Sequence, residues 1–219
     1  MPPRRNVSEE PRPRPRLYLI AGPACDADAL AQALGPAAAA DVAAVLLRPP
    51  PSANQRDVLA AVQAVAPAVQ NRGAALLIEG HAGLVARMGA DGAHLAGFAA
   101  LKAALPALKP DYIAGAGGLK TRHDAMLAGE AGADYVMFGE PDAAGQRPSF
   151  PAVLERVAWW SEIFEPPCVG FAASLEELAA LAQAGADFIA LGDVVWNDAQ
   201  GPAAVLTAAA ERLRALELA

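Results

Sequence analysis

Short apolar runs alternate along the chain with longer stretches of helical periodicity. The runs are bounded by turn residues and predict eight strands. These are Leu17–Ala21, Val42–Leu47, Ala74–Ile78, Gly92–Leu95, Tyr112–Gly115, Tyr135–Phe138, Cys168–Phe171 and Phe188–Leu191. The periodic stretches predict a helix after each strand, at Asp26–Leu34, Ser52–Gln70, Gly83–Met88, Phe98–Leu108, Arg122–Ala131, Ser149–Ile163, Leu175–Ala184 and Pro202–Leu216. Ser52 and Ser174 are placed to cap helices, and Ser174-Leu175-Glu176-Glu177 has the spacing of a capping box. Pro202 suits a first helical turn.

Three of the helix-to-strand junctions carry the same tripeptide, Gly-Ala-Asp, at 89–91, 132–134 and 185–187. Glycine closes a helix by adopting the left-handed conformation without a Cβ clash. The apolar tetrads that follow suit strands covered on both faces. Eight such units in about 200 residues predict a single (β/α)₈ TIM barrel over residues 17–219. A doubly wound open sheet is the rival, but it calls for Gly-x-Gly-x-x-Gly after an early strand. The first turn reads Ala21-Gly22-Pro23-Ala24 instead.

Composition narrows the setting. Hydrophobic residues make up 54% of the chain and aromatics 5%, so the core is built mainly from Ala, Leu and Val. No apolar run approaches the roughly 18 residues that would span a bilayer. Two cysteines, Cys25 and Cys168, are too few for a disulfide framework and fit a reducing, cytoplasmic setting. Residues 1–16 carry five arginines against two glutamates, a charge of +3, within a chain of −7. That leaves −10 on the rest, which argues against a nucleic-acid groove. The Pro- and Arg-rich residues 1–16 are expected to be a disordered tail.

In a barrel the chemistry belongs to the loops after the strands. Arg48 closes the second strand, and its planar fork suits phosphate or carboxylate; a salt bridge at the rim is the competing account. Gly115, Gly117 and Gly118 let backbone approach a ligand and offer N–H groups to an anion, with Lys120 and Arg122 adding positive charge. Glu79 and His81, two apart after the third strand, are spaced to face one way and to move protons or bind a cation. His94 lies inside an apolar strand, where a hydrogen-bonded structural histidine is the simpler account. Trp159-Trp160 falls on an outer helix, where an exposed ring would mark a homodimer surface and a buried one would pack on the barrel.

The order of these segments resembles the thiamine phosphate synthase family and its thiazole tautomerase relatives. Leu17-Tyr18-Leu19-Ile20 is similar to the family's opening strand, and Val45-Leu46-Leu47-Arg48 to the strand that ends in a phosphate-binding arginine. Ala75–Glu79 followed by Ala90-Asp91-Gly92-Ala93-His94-Leu95 resembles the next two strands, and Glu130–Gly139 and Ala184–Leu191 continue the match. The resemblance implies a transferase that joins a pyrimidine pyrophosphate to a thiazole phosphate, with magnesium offsetting the pyrophosphate charge.

The sequence departs from that pattern at charged positions. Where the family places its two metal aspartates, this chain reads Glu79-Gly80 and Ala96-Gly97-Phe98-Ala99. The serine-histidine loop reads Gly118-Leu119-Lys120, the Pro-Thr loop reads Glu140-Pro141-Asp142, and the paired glycines after the seventh strand read Gly170-Phe171. Asp193, after the eighth strand, puts negative charge where a phosphate would sit. The expectation is a divergent member that binds a small phosphorylated heterocycle, with weak or lost synthase activity and magnesium only if that activity is retained. Arg48, Gly115, Gly117, Gly118, Arg122, Gly170 and Gly192 are expected to contact the ligand, with Glu79, His81 and Lys120 facing its reacting part. The alternatives are a non-catalytic barrel binding a metabolite or partner, and a tautomerase-like enzyme. A phosphosugar isomerase has little specific support.

Overall fold

The computed structural model describes residues 13–23, 25–35, 41–142 and 144–216. Eight parallel strands pair in chain order and close on themselves, so β8 pairs with β1. The strands are β1 Arg16–Ala21, β2 Val42–Leu47, β3 Ala75–Glu79, β4 Gly92–Ala96, β5 Ile113–Gly117, β6 Tyr135–Phe138, β7 Cys168–Ala172 and β8 Phe188–Leu191. The helices around them are α1 Ala27–Ala33, α2 Gln55–Gln70, α3 Val85–Met88, α4 Phe98–Leu108, α5 Arg122–Glu130, α6 Phe150–Ile163, α7 Leu178–Gln183, α8 Asp193–Trp196 and α9 Pro202–Ala215. The predicted TIM barrel is the fold observed.

Alternation along each strand divides the core in two. Inside the barrel lie Tyr18 and Ile20 of β1, Ala44 and Leu46 of β2, Leu77, Tyr135, Met137, Val169, Phe171 and Ala190. The larger cluster fills the layer between strands and helices. Its bulkiest member, Trp160, is fully buried, stacks on Phe164 and donates from Nε1 to the Pro166 carbonyl at 2.7 Å. Its neighbour Trp159 is half-buried beneath the Arg122 guanidinium, 4.9 Å from the ring centroid.

The Gly-Ala-Asp repeat holds the barrel together in a way that periodicity does not reveal. Gly89, Gly132 and Gly185 end their helical segments with φ of 74°, 102° and 92°, the left-handed turn expected of them. The aspartate then clamps the start of the preceding strand at two points. Asp91 N–H donates to Leu76 O at 2.8 Å, and its carboxylate accepts from Leu76 N–H at 2.7 Å. Asp134 repeats this on Ala114 at 2.9 and 2.7 Å, and Asp187 on Cys168 at 3.0 and 2.8 Å. Each clamp therefore satisfies backbone at the strand entrances, where the ladder has no earlier residue to pair with. At β2 the equivalent aspartate, Asp41, pairs with Arg14 and Arg214.

Several local expectations are corrected. Asn54, not Ser52, caps α2, its side-chain oxygen accepting from Arg56 and Asp57 N–H at 3.0 Å each. Ser174 caps no backbone N–H, and a single 3₁₀ turn, Leu175–Glu177, precedes α7. The Glu177 carboxylate reaches Ala173 N–H at 2.8 Å and pairs with Arg147 instead. The capping box is at Thr121 and Asp124, at the start of α5. The predicted tail boundary at residue 16 falls inside described structure, since Arg16 opens β1 and Arg14 pairs with Asp41. Residues 1–12 of that tail lie outside the described residues. Helix α8 was not anticipated; its Trp196 Nε1 donates to Ile20 O at 2.7 Å.

Replacing Asp187 by alanine is expected to destabilise the barrel by about 1–3 kcal/mol, because a buried strand N–H loses its carboxylate. The check is the urea midpoint at unchanged slope. Asp187→Asn, which keeps one acceptor oxygen, is expected to lose less.

Candidate functional site

Three strand ends converge at the C-terminal mouth of the barrel. Arg48 follows β2, and its N–H bonds to Ala21 O at 2.8 Å, which extends the ladder and sets its direction. Glu79 ends β3 in register with His94 of β4. Gly117 ends β5, and its carbonyl accepts from Gly97 N–H at 2.7 Å. The loop after β6 delivers Glu140 into the middle of this group.

Glu140 is the centre of the site. Its side chain is 8% exposed. One carboxylate oxygen accepts from Gly118 N–H at 2.7 Å and lies 3.3 Å from His94 Nε2. The other forms an ion pair with Arg48 Nη2. Burial by itself would raise the carboxyl pKa, but the neighbouring His94 and Arg48 outweigh it and pull it down to about 2. Arg48 also has Glu79 Oε1 3.1 Å from its Nε. That approach is off the N–H direction, so the buried Nε–H makes no hydrogen bond.

A polar chain runs from Glu140 down the barrel axis. His94, 1% exposed, meets the Tyr135 hydroxyl through Nδ1 at 2.8 Å. The Tyr135 and Tyr18 hydroxyls are 2.8 Å apart. Every donor in the chain is satisfied by one assignment: Tyr18 O–H to Tyr135, Tyr135 O–H to His94 Nδ1, and His94 Nε2–H to Glu140. Burial raises the pKa of both tyrosines, which keeps them protonated as donors.

Glycine makes room for this chain. A Cβ on Gly117 would sit 1.8 Å from Glu140 Oε1 and 2.4 Å from His94 Nε2, and one on Gly115 would sit 2.0 Å from the Tyr135 ring. Both glycines lie inside β5, which extends two residues beyond its predicted end. Gly118, with φ of 60°, presents its N–H to the mouth, where Glu140 takes it.

The other sequence candidates scatter. Gly192 opens toward the interior, where a Cβ would lie 3.6 Å from Phe171. Gly170 faces outward, against Leu181 of α7. Arg122 pairs with Glu155 on the outer helices. Lys120 is exposed, and its carbonyl accepts from Arg156. His81 is exposed and left-handed at φ 50°, so the turn at Gly80-His81 breaks the alternation that would have set it beside Glu79. Glu140 was visible in the sequence only as a departure at a loop position. His94 has the structural hydrogen bond expected of it and also turns Nε2 toward the mouth.

Magnesium prefers oxygen ligands in an octahedron, with one or two carboxylates. Both Glu140 oxygens are already engaged, and Glu79 is paired with Arg48. Among the described residues no group of three or more His, Cys, Asp or Glu is arranged to hold a metal ion. The residues present do not fit that ion. No helix among them is long and apolar enough to cross a membrane.

Comparison with known proteins gives a consistent picture. Residues 17–195 match the family model described as thiamine monophosphate synthase. Over 194 residues the chain is 40% identical to a thiamine-phosphate synthase of Rhodospirillum centenum, covering 87% of this chain and 94% of that one. It is 39% identical over 207 residues to a thiamine-phosphate synthase of Hyphomonas neptunium, covering 91% and 94%. Among solved structures, thiamine phosphate pyrophosphorylase from Pyrococcus furiosus superposes with a TM-score of 0.74 at 16% identity, over 91% of this chain and 95% of that one, a likeness of fold.

The depressed Glu140 pKa gives a pH dependence of definite sign. Its ionisation contributes stability fully above the ordinary carboxyl value of 4.5, and this is lost as pH falls toward about 2. Urea unfolding of the wild type is therefore expected to weaken over that window more steeply than unfolding of Glu140→Gln. Parallel pH profiles for the two proteins would contradict the assignment.

Proposed function

Because the chain belongs to the thiamine monophosphate synthase family, we propose that the barrel mouth binds a small phosphorylated heterocycle of thiamine biosynthesis, with magnesium-dependent synthase turnover weak or lost. The observation that carries this reading is the position of Arg48 between Glu79 and Glu140. An arginine at the rim of a barrel strand carries a planar fork that suits phosphate as well as the carboxylates it meets here. Two carboxylates beside it cancel the positive charge that would draw in a pyrophosphate, and neither is free to hold magnesium. The mouth thus retains an anion donor while lacking the charge balance for ionising a pyrophosphate ester.

On this reading Arg48 and the Gly118 N–H orient the phosphate. Lys120 and Gly192 lie on loops around the same mouth, where the first adds charge and the second leaves space. Arg122 and Gly170, which pair with Glu155 and face α7, play no direct part. A second reading, proton transfer of the tautomerase kind, is favoured by one specific contact, the 3.3 Å approach of His94 Nε2 to Glu140. The pair has the chemistry to shuttle a proton to a ligand held by Arg48.

The test is to mix the purified protein with the aminopyrimidine pyrophosphate, the thiazole phosphate and magnesium, and to measure thiamine phosphate and the thermal shift given by each precursor. The expected result is a thermal shift that Arg48→Ala removes, with turnover far below the roughly 1–10³ per second common among enzymes. Ordinary turnover would overturn the weak-synthase reading, and no shift with either precursor would overturn the thiamine ligand. Consumption of a thiazole tautomer that Glu140→Gln abolishes would favour the second reading.

A further inference from the structure

The Glu140 carboxylate is held as a bound anion would be. It has a guanidinium on one oxygen, and a backbone N–H and an imidazole edge on the other. The space it fills is created by the missing side chain at Gly117. The cradle is also incompletely used, since the buried Arg48 Nε–H has only the poorly aligned Glu79 oxygen 3.1 Å away while Nη2 is engaged. A single carboxylate oxygen serves one arm of the guanidinium fork. A phosphate, with three or more acceptor oxygens and greater charge, can serve Nε and Nη2 together while another oxygen takes the Gly118 N–H. Glu140 itself follows Gly139, whose positive φ of 91° is a conformation that glycine adopts without a Cβ clash.

We propose that Glu140 is an internal competitor for the anion site: its carboxylate occupies the cradle of Arg48, Gly118 and His94, and a phosphate of the ligand binds there by displacing it. This rests on the reading of the mouth as a phosphate-binding site and adds how that site is regulated. The apparent affinity of a site that is open only part of the time falls by the open fraction. Phosphate binding to the wild type is therefore weak because the site is self-occupied, although the donors that recognise phosphate are all present. Glu79, 3.1 Å from Arg48 Nε, leaves a negative charge beside the guanidinium and keeps it in place when Glu140 leaves.

The experiment uses inorganic phosphate and inorganic pyrophosphate as probes, titrated calorimetrically into the full chain and two variants. Glu140→Gln removes the competing charge at constant size. Glu140→Ala removes the side chain together with its charge and leaves the space beside Gly117 open. Both are expected to bind pyrophosphate about 10- to 100-fold more tightly than the wild type, as for a site closed roughly 90–99% of the time. Variants that retain the native melting transition and bind no tighter would overturn the proposal.

Should either variant fail to fold, the wild type carries the test by nitrogen-15 NMR. The Arg48 Nε–H and Gly118 amide signals are expected to shift together on saturation with pyrophosphate, and saturation that leaves both unmoved overturns the proposal. The outcomes also separate this inference from the function above. Tighter phosphate binding in the variants without any response to the thiamine precursors removes the proposed ligand and leaves the competitor in place. A response to the precursors without any gain in the variants does the reverse.

Discussion

A carboxylate almost withdrawn from water has to be surrounded by donors, and Glu140 imposes that requirement on β2, β4 and β5 at the barrel mouth. It fixes Arg48 at the end of β2, takes the N–H of Gly118 after β5 and accepts from His94 in β4. His94 in turn orders Tyr135, and Tyr135 orders Tyr18 across the barrel. Removing a partner anywhere in this chain strands a buried polar group, at a cost of about 1–3 kcal/mol. The glycines of β5 follow from the same constraint, because side chains at 115 and 117 would occupy the space of Tyr135 and Glu140. The mouth is thus a prepaired cluster, and a ligand that takes the Arg48 fork or the Gly118 N–H has to rearrange it.

The scaffold depends on a separate device at the opposite end. The aspartates of the Gly-Ala-Asp repeat clamp β3, β5 and β7 at Leu76, Ala114 and Cys168, within the first two residues of each strand. Asp41, paired with Arg14 and Arg214, stands at the corresponding entrance of β2. The scaffold clamps and the candidate site therefore lie at different ends of the strands, the arrangement usual for this fold. That separation lets the mouth carry mutually compensating charges without loosening the barrel.

Much of the fold was legible in the sequence because a buried parallel strand is a continuous apolar run and a left-handed helix end demands glycine. The Gly-Ala-Asp repeat gave both signals at once, although the role of its aspartate is a pairing between adjacent strands that sequence spacing does not show. Caps were less legible: Ser52, Ser174 and Asn54 all have capping chemistry, and only the path of the chain selects Asn54. At the site, Arg48 was readable from its strand-end position. Glu140 was not, because its importance comes from long-range contacts with Arg48, His94 and Gly118, brought together by closure of the barrel. His81 shows the converse failure, where a spacing valid for a continuous strand is broken by a left-handed turn.

The central claim is that the mouth is an anion site held by the chain's own carboxylate. A crystal structure of the wild-type protein saturated with inorganic pyrophosphate tests it most directly. The account predicts a phosphate oxygen within hydrogen-bond distance of both the Arg48 guanidinium and the Gly118 N–H, with the Glu140 side chain turned out of the cradle. A pyrophosphate bound elsewhere, with Glu140 still joined to Arg48, Gly118 and His94, would contradict it.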